Sequence, residues 1–242
     1  MRFRGDGTGN SMVRILLALI VTSALMLIGA TSANADAHRG KRGDGHPPFS
    51  VLAARWWQWG LSQPAATNPL LDPTGEFCAE GQRGRIWFLA GPFLTDDQTL
   101  TRSCTVPVGK DLFFPLVNVF SGWVPTEPPE LKTVAAQRAI VASSDPRNAI
   151  NLSLTIDGRP ALKKVRFEKS VVFKVVLPEE NIFGLAAGTV VSPTVDAGYY
   201  AYVKALRPGK HVIRFTGQLP TTPDHESPGL VDVTYHLTVQ KR

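Results

Sequence analysis

Cysteine and histidine are scarce in this chain, with two of the former and five of the latter in 242 residues. The sequence has no Gly-x-Ser-x-Gly elbow, His-Glu-x-x-His pair, P-loop or dinucleotide glycine pattern. The chemistries those motifs carry therefore lack their signatures. Asp72-Pro73-Thr74-Gly75 is not the Asp-Thr-Gly of an aspartic protease, because proline intervenes. No stretch interleaves basic with aromatic residues, so nucleic acid is not expected as a partner. No internal repeat is evident. Beyond residue 30 no apolar run approaches the ~20 residues of a membrane helix, and no stable span is expected after processing.

What is present begins at the N-terminus. Arg14 precedes an apolar run, Ile15 to Ala30, followed by Thr31-Ser32-Ala33-Asn34-Ala35-Asp36-Ala37. A basic flank, an apolar stretch and an Ala-x-Ala site predict a signal peptide over residues 1–37. Cleavage falls after Ala35 or after Ala37; a retained anchor is the other reading. No cysteine follows the run, so lipoprotein processing is excluded. The expected location is outside the cytoplasm, either secreted or in a periplasm or cell envelope. Residues 38–47, with His38-Arg39-Gly40-Lys41-Arg42, read as a disordered basic tail, and residues 48–242 as a single domain. Cleavage before His38 would free an N-terminal histidine, but a copper brace needs a rigid amine and imidazole, and a Gly-rich tail supplies neither. The formal charge of the chain is +6. The leader's three arginines against two aspartates leave the remainder near +5, and without the basic tail the folded part is only mildly basic, which suits anionic envelope polymers or lipid surfaces.

In an oxidising compartment the pair Cys78 and Cys104 is expected as a disulfide. No histidine lies between them, so a metal site there is not expected, nor is any cofactor. Asp72, Thr74 and Glu76 offer oxygens to calcium, but no EF-hand pattern accompanies them.

Ser50 is placed to cap a helix through Trp59, with Leu52, Trp56 and Trp59 on one apolar stripe and Pro64 beyond its exit. Trp57 lies off that stripe and is the tryptophan expected to be exposed. Gly84 and Gly91 bound a strand at 85–90, and another covers 111–120, where Pro115 predicts an edge or a bulge. Thr126 heads a second helix that ends near Ser143. Residues 151–156 alternate into Asp157-Gly158, a strong hairpin signal, whose partner covers 160–167. Further strands are expected at 171–177, 199–206, 211–216 and 231–239. The set predicts a mainly β fold, an antiparallel sandwich of jelly-roll or immunoglobulin type with about two helices in its N-terminal half.

At Asp72-Pro73-Thr74-Gly75, Cys78, Trp87-Phe88-Leu89-Ala90-Gly91, Arg102, Cys104-Thr105-Val106-Pro107 and Asp196-Ala197-Gly198-Tyr199-Tyr200, the chain resembles a group of exported bacterial proteins of unknown function. The resemblance implies export, the paired cysteines and a single domain. It implies no activity.

Two functions remain open. The first is a non-catalytic module that binds an envelope or extracellular component such as a glycan or another protein, with Trp57 or Trp123 as aromatic contact. The rival is a secreted metal-assisted or acid–base hydrolase using Asp224, His225 and Glu226 in the loop before the last strand, with Glu76 as a further carboxylate. His211 shares a face with Ile213 and Phe215 and is expected to be hydrogen-bonded and partly buried; His236 is expected to face solvent.

Overall fold

The computed structural model describes residues 45–93, 98–223 and 229–241. The predicted leader, most of the basic tail and the Asp224-His225-Glu226 loop lie outside those residues. The chain divides between Pro47 and Pro48, and every element below belongs to the unit Pro48–Arg242.

Helix α1, Phe49–Leu61, begins two residues earlier than the sequence predicts. Pro48, not Ser50, takes the N-cap, and its carbonyl accepts the N–H groups of Val51 and Leu52, each at 3.0 Å. A proline there sacrifices no helical donor. Ten strands follow: β1 (Ile86–Phe88), β2 (Gln98–Pro107), β3 (Asp111–Gly122), β4 (Ile150–Ile156), β5 (Arg159–Pro160), β6 (Val165–Lys169), β7 (Phe173–Val176), β8 (Val190–Val203), β9 (Gly209–Gln218) and β10 (Leu230–Gln240). Helix α2, Val134–Ser143, starts later than expected. Pro129–Leu131 forms a separate 3-10 turn, and the Thr133 hydroxyl caps α2 by accepting the Ala136 N–H at 3.1 Å.

One sheet runs β1-β3-β8-β6, with β7 also paired to β8, and the other runs β2-β10-β9-β4-β5. The two pack face to face, so the fold is mainly β and sandwich-like. The expected purely antiparallel arrangement is corrected, because β1 pairs with β3 and β10 with β2 in parallel. The cause is connectivity. Between β1 and β3 the chain crosses to the other sheet to form β2, and a hairpin's reversal of direction is lost. Asp157-Gly158 does form its hairpin, with φ of 51° and 73° at the two turn residues. Positive φ at both is what a two-residue turn between twisted strands requires. Its partner strand is only Arg159–Pro160; the chain then switches sheets to become β6.

Leu112, Phe114 and Leu116 of β3 meet Ile213, Phe215, Val233, Tyr235 and Leu237 of the other sheet. Phe113 points the opposite way, into a second core with Leu52, Trp56, Trp57 and Tyr200. The first sheet is thus covered on both sides, by α1 outside and by the second sheet inside, so β3 reads as a continuous apolar run rather than an alternation. Pro115 sits at a bulge between Pro115 and Val117. The extra residue flips the alternation, and Phe120 joins Phe113 on the α1 side. Pro115 is therefore at a bulge and not at an edge, because β3 lies between β1 and β8.

Cys78 and Cys104 are bonded, with their Cα atoms 5.9 Å apart. The bond ties a strap, residues 72–78, to β2. Asp72 organises the strap: its Oδ1 accepts from Thr74 N, Thr74 Oγ1 and Gly75 N, and its Oδ2 from Phe77 N. Burial alone would raise the Asp72 carboxyl, but these bonds outweigh it and hold the group below its ordinary range. The carboxylate is spent on the backbone, which accounts for the loop's order without calcium.

Candidate functional site

Three tryptophans within four positions of α1 decide how it sits. The indole N–H of Trp56 donates to Leu89 O at 2.9 Å, that of Trp57 to Asp196 Oδ2 at 2.7 Å, and that of Trp59 to Glu80 O at 2.7 Å. Each ring removes roughly 150–250 Å² from water, worth at most about 4–6 kcal/mol at 25 cal/mol/Å². The expectation that Trp57 is exposed is corrected: it is 3% accessible. Helix α1 is buried over a broad arc, and its second flank lies against Phe93, Phe120 and Asp196.

The remaining arc carries Arg55, Gln58 and Ser62, at i, i+3 and i+7. These residues form one wall of a cleft of about 690 Å³, whose other wall is the turn Gly81–Arg85 leading into β1. Arg83 and Arg85 line it from the turn, Gln63 lies at the end of α1, and Trp59 and Phe88 contribute aromatic surface. Those two rings lie 5.5 Å apart between centroids. Gln58 Nε2 donates to Lys174 O and Gln63 Nε2 to Trp59 O, at 3.0 and 2.9 Å. Both amides are thereby pinned, with their oxygens left to accept.

Arg85 is fixed from below. Its Nε donates to Asp111 Oδ2 at 2.8 Å. That carboxylate also accepts the Tyr202 hydroxyl at 2.6 Å and Ala205 N at 2.8 Å. Burial pushes the Asp111 carboxyl up, but the bonds from Tyr202, Ala205 and Arg85 prevail and keep it below the usual range. Burial and the neighbouring Asp111 raise the Tyr202 phenol.

A second polar centre lies under the opposite flank of α1. Asp196 is fully buried. Its Oδ2 accepts from Trp57 and, at 2.7 Å, from the Tyr200 hydroxyl, which in turn accepts Asn118 Nδ2 at 2.9 Å. Oδ1 has no partner. Arg138 on α2 reaches the backbone carbonyls of Asp196 and Ser170. Burial pushes the Asp196 carboxyl up to about 7, against the bonds from Trp57 and Tyr200 and the charge of Arg138. Its bonds run to Trp57 of α1 and to Tyr200 of β8, which in turn holds Asn118 of β3, so it acts as a structural lock between α1, β3 and β8.

Of the other expected site residues, Trp123 and Glu76 are described, and Asp224, His225 and Glu226 lie outside the described residues. Trp123 is half-buried; its N–H donates to Pro128 O, and Lys132 Nζ covers the ring at 4.5 Å from the centroid. Glu76 is exposed in the strap, beside Ser103 of β2. Ser103 pairs with His236 of β10. Among the described residues no group of three or more His, Cys, Asp or Glu is placed to hold a metal ion. His211 is bonded at both ring nitrogens, to Asp157 at 2.8 Å and Arg207 O at 2.9 Å; the Asp157 bond raises its pKa, though burial opposes. His236 faces solvent.

Sequence reasoning missed Arg55, Arg83 and Arg85. The available signal was the polar stripe of α1 facing the Arg83-Gly84-Arg85 triplet. Comparison with family models, curated proteins and solved structures finds no match to this chain.

Proposed function

We propose that this protein is an exported, non-catalytic binding module whose ligand, an envelope or extracellular component with a glycan foremost, sits in the cleft between α1 and the Gly81–Arg85 turn. The observation that carries this reading is the lining: guanidinium groups, amide oxygens and the edges of Trp59 and Phe88 bound one open space. Ring surface beside fixed hydrogen-bonding groups is how concave sites hold polar ligands. The disulfide and the predicted leader support export. The binding surface moves from Trp57 and Trp123 to this cleft, because Trp57 is buried and Lys132 covers Trp123.

The test is retention on cell-wall fractions and a glycan array, comparing the protein with Ser62→Tyr. Ser62 is exposed and lines the cleft, so a tyrosine there fills the space without entering the core. Retention lost in Ser62→Tyr is expected. Retention equal in both proteins, or absent from both, defeats the reading.

A further inference from the structure

The cleft is cationic on both walls. Arg55 stands on α1, Arg83 and Arg85 stand on the opposing turn, and among the described residues no aspartate or glutamate lines the space. Among the described residues, the one carboxylate bonded to any of these three is Asp111, through Arg85 Nε. Asp111 is itself 1% exposed and already shared with Tyr202 and Ala205. The Arg85 side chain, by contrast, is 70% exposed. A guanidinium gripped only at Nε keeps both terminal nitrogens for a ligand, in the fork that matches two oxygens of a carboxylate or phosphate. Lys110, between β2 and β3, donates its ammonium to Gly84 O and so adds a further positive charge beside that turn.

Such a set is poorly matched to a neutral sugar. Three like charges around one space repel each other, and a neutral ligand leaves that repulsion in place while displacing water from the guanidiniums. An oxyanion relieves the repulsion and satisfies the donors together. On the reading that this cleft is the ligand site, we propose that it recognises an oxyanion, a carboxylate or phosphate group carried by an envelope polymer. Arg55 clasps the group from one wall and Arg83 and Arg85 from the other. The Oε1 atoms of Gln58 and Gln63 accept hydrogen bonds from neighbouring hydroxyls of the polymer.

The experiment titrates three probes calorimetrically into the purified, disulfide-bonded protein: a galacturonate tetramer, its fully methyl-esterified neutral counterpart, and a glycerol-phosphate oligomer. At least one anionic probe is expected to bind tighter than the ester by about tenfold or more. Which one does so identifies the source of the oxyanion. The advantage should shrink as salt rises from about 0.02 to about 0.5 M. Arg55→Gln with Arg83→Gln should abolish the advantage of the anionic probe over the ester. Arg85→Lys, which keeps the charge and loses the fork, should also weaken the anion. If ester and acid bind equally and Ser62→Tyr removes both, the cleft is the site and the oxyanion inference is wrong. If no probe binds, or if anion binding survives all of these substitutions, the inference and the reading beneath it both fall.

Discussion

Asp196→Asn separates the buried carboxyl from every other titrating group. The carboxyl of Asp196 is pushed up to about 7 by burial, against about 3.9 in an unfolded chain. Below the lower value both states are protonated, and the group contributes nothing to the pH dependence. Between the two values the folded protein holds a proton that the unfolded chain releases, so stability falls as pH rises. Above about 7 the full penalty is present, roughly 3 pK units at 1.36 kcal/mol each, or about 4 kcal/mol. Asparagine keeps an oxygen for Trp57 and Tyr200, but it sets an amide where Oδ1 now finds no partner, at a cost of ~1–3 kcal/mol. The variant should therefore be less stable than the parent at pH 4 by about that amount and more stable at pH 8 by about 1–3 kcal/mol. Urea unfolding at fixed pH values from 4 to 8, with slopes compared, reads the difference directly. The depressed carboxyls of Asp72, Asp111 and Asp157, which give stability lost only in acid, cancel between the two proteins. So does His211. Parallel profiles, with no crossing between pH 4 and 8, would refute the account of Asp196.

Cys78→Ala and Cys104→Ala should each lower stability by about 3–4 kcal/mol, the chain-entropy value for a loop of this length, and unreduced mass spectrometry should show two hydrogens missing from the parent. Gly198→Ala should cost ~1–3 kcal/mol, because a Cβ there would lie 2.4 Å from Val117 O at the β3 bulge; an unchanged melting temperature would mean that the strands part easily. Trp123→Ala should leave ligand retention intact, since Lys132 already covers the ring; a loss would restore Trp123 as a contact.

Legibility in the sequence followed the apolar periods and failed where a buried polar group broke them. Residues 231–239 alternate cleanly and form β10 as expected. Strand β2 was not legible at any point of its length: residues 104–110 read as a turn, and the inward alternation before them is interrupted by Arg102, which is 1% exposed between the sheets. Arg102 Nη1 donates to Ala90 O at 2.6 Å and to the Tyr235 hydroxyl at 3.1 Å. The first half of β8 was missed for the same reason, since Asp196 occupies its covered face. Helix α1 was legible, but its stripe understated how far round the helix is buried: Trp57 is claimed by Asp196, 139 residues away in sequence. The cleft was hidden because its two walls are an ordinary polar helix face and a turn, brought together by Trp59 and Glu80. No local pattern announces such a meeting.

The strap has a consequence for the chain before it oxidises. Strand β2 is outermost in its sheet, and an open strand edge is a template for a stranger's backbone. Thr74 O takes the Ser103 N–H at 2.8 Å, and a Cβ on Gly75 would fall 2.3 Å from Ser103 O. Only glycine lets the strap lie so close, and its φ of +88° suits no other residue well. The strap thus plugs the middle of the edge, and the bond at Cys104 rivets it there. While the thiols are reduced, only hydrogen bonds such as that between Thr74 O and Ser103 N–H keep the plug in place. Closing the disulfide therefore does more than add stability: it fixes a cover over a strand edge of the kind that templates pairing between chains.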